Sequence, residues 1–166
     1  VKKQAFKPSA KNKAKLTARL LKYPAISLVD PVCSYCVAFK IPQNEAKKEA
    51  LRALALDLAK NSVNREPVKM GLALLGISGK KEDLQILRTL GKHDEFTLFA
   101  AGSAAGLLKG KEKNAFLTEL AEEVEGWGKL AILYELDYSD ENARLWAVKK
   151  GCRNTVGYSY AANVCA

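Results

Sequence analysis

GISGKKEDLQILRTL (residues 76–90) returns 30 residues later as GLLKGKEKNAFLTEL (106–120), and this echo decides the fold. Gly76 recurs as Gly106, Lys81-Glu82 as Lys111-Glu112, and Leu87 and Leu90 as Leu117 and Leu120. The bulky position runs Ile86, Phe116, Trp146. Equal spacing of bulky, small and turn residues is what stacked helix pairs require, because each pair must offer the same ridge to its neighbour. The pattern predicts an all-α protein whose repeats make a binding surface rather than a catalytic pocket.

Working outward, one helix is expected through Val68, Met70, Leu72 and Leu75, then a turn at Ser78-Gly79, then a second helix to Gly91. A further pair starts at Asp94-Glu95 and turns at Lys109-Gly110-Lys111. A third carries Trp127, Leu130, Leu133 and Leu136, then Leu145, Trp146 and Val148, with Ser139-Asp140-Glu141 as the cap between its helices and Gly151 as its stop. Upstream, Gln43-Asn44 opens a helix to about Lys60, and Asp30-Pro31 reads as N-cap and first-turn proline of a short apolar helix ending before Pro42. Ser9 caps a basic helix that stops before Pro24. A last helix from Asn154 uses Val156, Tyr160 and Val164. The small residues Ala100–Gly106 predict a close helix approach, with a neighbour over Gly102. No stretch alternates with period two between hairpin turns.

The 166 residues fit one domain: a basic N-terminal helix or arm (1–23), repeats (44–150) and a C-terminal cap helix (154–166). A hydrophobic fraction of 48% predicts a folded chain. No apolar run reaches transmembrane length and no secretory signal is visible. The start at Val1 suggests that a preceding segment has been trimmed. Four cysteines in a chain this long do not make a disulfide framework, so a reduced, cytoplasmic setting is expected.

The net charge of +9 is concentrated at one end: residues 1–23 carry eight Lys/Arg and no acid. Lys11, Lys15, Arg19 and Lys22 share one helix face, with Leu16, Thr17, Leu20 and Leu21 on the other. Such a face attracts polyanions, either nucleic acid or an anionic surface; it also serves simply as a solvated terminus.

The segment Glu66–Leu120, with its ALLG turn (residues 73–76) and short basic loop before an acidic-capped second helix, resembles tandem HEAT repeats. It is most similar to the short, roughly 30-residue type of the phycobilin-lyase-like group. The resemblance implies a right-handed α-α superhelix, a solenoid of antiparallel helix pairs. In that family the second helix of each pair lines a concave, ligand-taking side. By that analogy the partner-binding residues are Gln85, Arg88, Lys92, Glu119, Glu122, Arg144 and Lys149, and the protein is a non-catalytic interaction module for a protein or peptide.

Catalytic and metal motifs are weak. The Cys33-Ser-Tyr-Cys36 spacing suits a redox pair or zinc half-site if Asp30-Pro31 starts the helix, but zinc would need Cys152 and Cys165 from the far end. Plain core packing is the alternative. His93 is the only histidine, so neither a multi-histidine iron centre nor a Ser-His hydrolase is expected, and no Gly-x-Ser-x-Gly is present. HEAT-like DNA glycosylases use aromatic and acidic residues that cannot be matched here, and Trp146 reads as core. No cofactor or metal is expected.

Overall fold

Local capping sets four helix starts. In the computed structural model, which describes residues 1–165 apart from the side chains of Tyr158, Asn163 and Cys165, Ser9 Oγ accepts the Asn12 N–H at 3.2 Å and opens helix α2, Ala10–Lys22. Asn44 Oδ1 accepts the Lys47 N–H at 2.9 Å and opens α4, Glu45–Asn61. Pro67 lies in the first turn of α5, Arg65–Ser78, where a missing N–H costs nothing. His93 Nδ1 accepts from the Glu95 N–H and Asp140 Oδ1 from the Asn142 N–H, starting α7, Asp94–Leu107, and α10, Glu141–Trp146. The remaining helices are α1 Lys2–Phe6, α3 Ala25–Ala38, α6 Leu84–Gly91 (preceded by a 3-10 turn, Lys81–Asp83), α8 Gly110–Ala121, α9 Gly126–Glu135 and α11 Tyr158–Cys165. No strand occurs among the described residues, and none of their helices is long and apolar enough to cross a membrane.

The helices form two compact units, Val1–Lys80 and Lys81–Ala166. In the first, α4 and α5 make an antiparallel hairpin around Leu51, Leu54, Leu58, Met70, Leu74 and Leu75, all buried. Gly71 sets their separation: a Cβ there would fall 2.7 Å from both Ala55 O and Ala59 N. Helix α1 packs against α4, so the basic head is folded rather than an arm, and α2 and α3 lie on α5. On α2, Leu20 is buried but Leu21, expected to pack, is exposed.

In the second unit equivalent helices lie side by side and parallel. Three ion pairs join the α6 region to the α8 region at a constant offset of 31 residues: Lys81–Glu112, Arg88–Glu119 and Lys92–Glu123. On the other layer, Gly128 of α9 meets Thr97 of α7, and Gly102 of α7 faces Glu135 of α9. Leu87, Leu117, Leu120, Ile132 and Leu133 fill the space between layers and are fully buried. Each such leucine contributes about 1.5–3 kcal/mol by leaving water. Asn114, also buried, ties α8 to the loop before α10: its Oδ1 accepts the Asp137 N–H at 2.9 Å and its Nδ2 donates to Asp137 O at 3.0 Å.

Four expectations are corrected. First, α3 begins at Ala25, not at Asp30-Pro31; Pro31 lies inside it. The cause is tertiary, since the Ala25 N–H is capped by Glu66 Oε2 at 2.6 Å from α5. Second, the third pair keeps the inward positions but fills them with small residues: Ala147 and Gly151 lie 30 residues after Leu117 and Ala121. Ala143, Ala147 and Gly151 are buried, whereas Leu145 and Val148 are exposed and Trp146 is half-buried. Helix α10 runs into a π-helical turn, Ala147–Gly151, where the Cys152 N–H reaches Ala147 O at 2.9 Å. The wider ring opens only after Trp146, which is half-buried as Ile86 is, whereas Phe116 is buried. Third, the last helix begins at Tyr158. Asn154 is a loop residue whose Nδ2 donates to Gly126 O at 2.9 Å, and Tyr160 is exposed while Ala161 is buried. Fourth, Gly102 is exposed, and the nearest atom to its absent Cβ is Glu135 Oε1 at 3.8 Å. The close approaches fall instead at Gly71, Gly91, Gly128 and Gly151.

Candidate functional site

The residues predicted to hold a partner do share the α6–α8–α10 layer, but five of the seven are engaged in contacts within this unit. Arg88 pairs with Glu119 and lies 5.2 Å over the Phe116 ring. Lys92 pairs with Glu123. Glu122 accepts from Lys150 Nζ at 2.9 Å and Trp146 Nε1 at 2.8 Å, and those two donors hold its carboxyl below the ordinary range. Arg144 donates to the Tyr138 carbonyl at 2.7 Å. Gln85 and Lys149 are exposed. Each exposed pair is worth under about 1 kcal/mol, so the row fixes register more than it stabilises.

The basic helix presents its predicted face fully. Lys11, Lys15, Arg19 and Lys22 are exposed, and none makes an ion pair within the described residues. Lys13, on the flank, pairs with Asp57 at 2.7 Å and keeps that carboxyl below its usual range, helped by Asn61. Residues 1–80 hold sixteen Lys/Arg against five Asp/Glu, a charge of +11; residues 81–166 hold eleven against thirteen, −2. Three of the five acids in the first unit are already matched: Asp57 by Lys13, Glu49 by Arg52 and Lys80, and Glu66 by Lys69. Burial pushes Glu66 up, yet the Ala25 N–H and Lys69 outweigh it and hold the carboxyl low. The surplus positive charge of this unit therefore faces outward.

Cys33 and Cys36 sit well inside α3, away from its N-terminus. Burial pushes both thiols up, and Asp30 adds to the effect at Cys33 and Cys33 at Cys36. A reactive thiolate needs the opposite environment. No group of three His, Cys, Asp or Glu converges among the described residues, and the Cys165 side chain lies outside them. His93 serves as the cap of α7.

Sequence reasoning missed a groove of about 620 Å³ on the α7–α9 layer. Leu98 and Phe99 line one wall, Trp127, Leu130 and Tyr134 the other, Tyr160 of α11 one side, and Asp94 and Glu95 also contribute to its lining. Trp127 is 62% exposed, Tyr134 65% and Tyr160 51%. The Trp127 and Tyr160 rings meet edge-on at 5.0 Å. The signal was present in the composition of α9, GWGKLAILYE, which is apolar on both faces. Such a helix is either wholly buried or carries a second, docking face. Trp127 and Tyr134 stand two turns apart on that second face, while Ile132 and Leu133 fill the first.

No family model, no curated protein and no solved structure matches this chain. The likeness to HEAT repeats therefore rests on its own residues and on the 31-residue offsets.

Proposed function

We propose that this chain is a non-catalytic interaction module, a HEAT-like stack of helix hairpins that binds another protein. The constant offset of the α6–α8 ion pairs and the parallel α7 and α9 support the stacked-repeat reading. The observation that carries the binding reading is the aromatic groove, because large rings left this exposed on a soluble surface mark contact sites. The partner lies along α7, α9 and α11 in preference to the α6–α8 layer, whose charges are matched internally. Photo-crosslinking from the two surfaces separates them. Partner capture from the source proteome that is lost with Trp127→Ala and kept with Arg88→Ala/Lys92→Ala supports the groove; the reverse pattern returns the site to α6–α8.

A second reading is favoured by the +11 charge of the first unit: polyanion binding through Lys11, Lys15, Arg19 and Lys22. Four phosphate contacts give a slope of about −2.8 in log K against log salt for single-stranded RNA. Fluorescence anisotropy should find that slope, and a fourfold alanine variant of these residues should flatten it. Binding that is insensitive to salt, or unchanged in the variant, removes this reading.

A further inference from the structure

We infer that the groove of α7, α9 and α11 takes a cationic segment of the partner, with an arginine or lysine side chain lying across the Trp127 and Tyr134 rings toward Asp94. This rests on the reading that the groove binds a protein.

The first argument is a contrast within the molecule. In the first unit, rings near the surface carry the chain's own cations: Lys2 Nζ lies 5.8 Å from the Tyr35 ring and 5.2 Å from Phe39, and Lys22 Nζ lies 5.5 Å from Tyr23. In the second, Arg88 covers Phe116. Trp127, Tyr134 and Tyr160 have no cation over them among the described residues, although each is at least half exposed. A guanidinium or ammonium is attracted to such faces, and most strongly to tryptophan.

The second argument is charge complementarity. The groove lining contains two carboxylates, Asp94 and Glu95, and no lysine or arginine. The unit around it has a net charge of −2 in a chain whose total is +9. A neutral apolar segment seated here would strip water from Asp94 without replacing it, a desolvation that binding would have to overcome. A cationic side chain restores a partner to the carboxylate and fills the ring faces together. Trp127 and Tyr134 are seven residues apart on α9, about 10 Å along its axis, which suits an extended or single-turn segment rather than a small molecule.

The test is a phage-displayed random 12-residue library selected on the wild-type chain and counter-selected on Trp127→Ala. Enriched peptides should carry arginine or lysine. Synthetic copies should bind at least about tenfold more weakly when citrulline or norleucine replaces the cation, the scale expected for one cation–π contact with a carboxylate. Asp94→Asn should shrink that ratio while leaving the circular dichroism spectrum unchanged. Enrichment of neutral or acidic peptides overturns the cationic assignment and leaves the groove as a protein site. Absence of any Trp127-dependent peptide also overturns it, and the cross-linking comparison then judges the groove by itself. Self-association that Trp127→Ala abolishes overturns it in favour of a second copy as occupant.

Discussion

The first and second units differ in what covers their surface rings. In residues 1–80 three of the five acids are tied to lysines and arginines, the Tyr23, Tyr35 and Phe39 rings lie under ammonium groups, and the α4–α5 hairpin is drawn together at Gly71 until backbone nearly touches backbone. In residues 81–166 the α6–α8 layer is matched by its row of ion pairs, but the α7–α9 layer shows bare aromatic faces beside carboxylates. Both units are built from capped, leucine-filled hairpins. Core chemistry is common to the two, so it does not distinguish a structural face from a docking face; the pairing state of exposed rings and charges does.

The comparison breaks most sharply at glycine. Gly71→Ala puts a methyl group against Ala55 O and Ala59 N, neither of which is a side chain that can swing away. Urea denaturation should show a loss of roughly 3 kcal/mol or more. Gly102→Ala, on the open layer, meets nothing closer than a flexible carboxylate at 3.8 Å and should add about 0.5–1 kcal/mol. Equal effects at the two positions would show that backbone contact at Gly71 does not set the α4–α5 separation.

Asn114→Ala is the next largest. It removes both amide bonds to Asp137 and the bond to Asp140 Oδ2, leaving a loop N–H and carbonyl unanswered. Stability should fall by about 2 kcal/mol, and hydrogen exchange should quicken first between residues 136 and 142. A change under about 0.5 kcal/mol would mean that the second unit holds its third hairpin by apolar packing alone.

Arg88→Ala is the smallest. Exposed pairs of this kind contribute under about 1 kcal/mol, and the deficit should shrink further in molar salt. A larger, salt-insensitive loss would show that the ion-pair row, not the leucine core, sets the spacing between α6 and α8.

The sequence was legible wherever a helix carries its own punctuation. The boundaries of α2, α4, α5, α7 and α8 follow Ser9, Asn44, Pro67, Asp94 and Gly110, because each signal acts within its own turn. The start of α3 was not legible, since its cap, Glu66, comes from 41 residues away. Nor was the inward face of α10: its bulky residues are Leu145, Trp146 and Val148, while the residues buried there are the small Ala143 and Ala147. Of the candidate sites, the cationic face of α2 could be read from spacing. The aromatic groove could not, because Trp127, Leu130 and Leu133 all recur at helical spacing and only packing shows that Trp127 is left in water. The four exposed lysines and arginines on α2 need no neighbour to define them; the groove needs three helices.

The π-helical turn at Ala147–Gly151 has a consequence for how this chain could lengthen. A ring closed by the residue five places back takes in more chain per revolution than its neighbours, so whatever follows is rotated out of phase with the hairpins before it. A duplicated hairpin grafted after Gly151 would offer its ridge at the wrong azimuth, whereas one inserted at the Leu108-Lys109 turn would meet matching grooves on both sides. A hairpin added after Gly151 would first need that ring rewound to an ordinary four-residue closure.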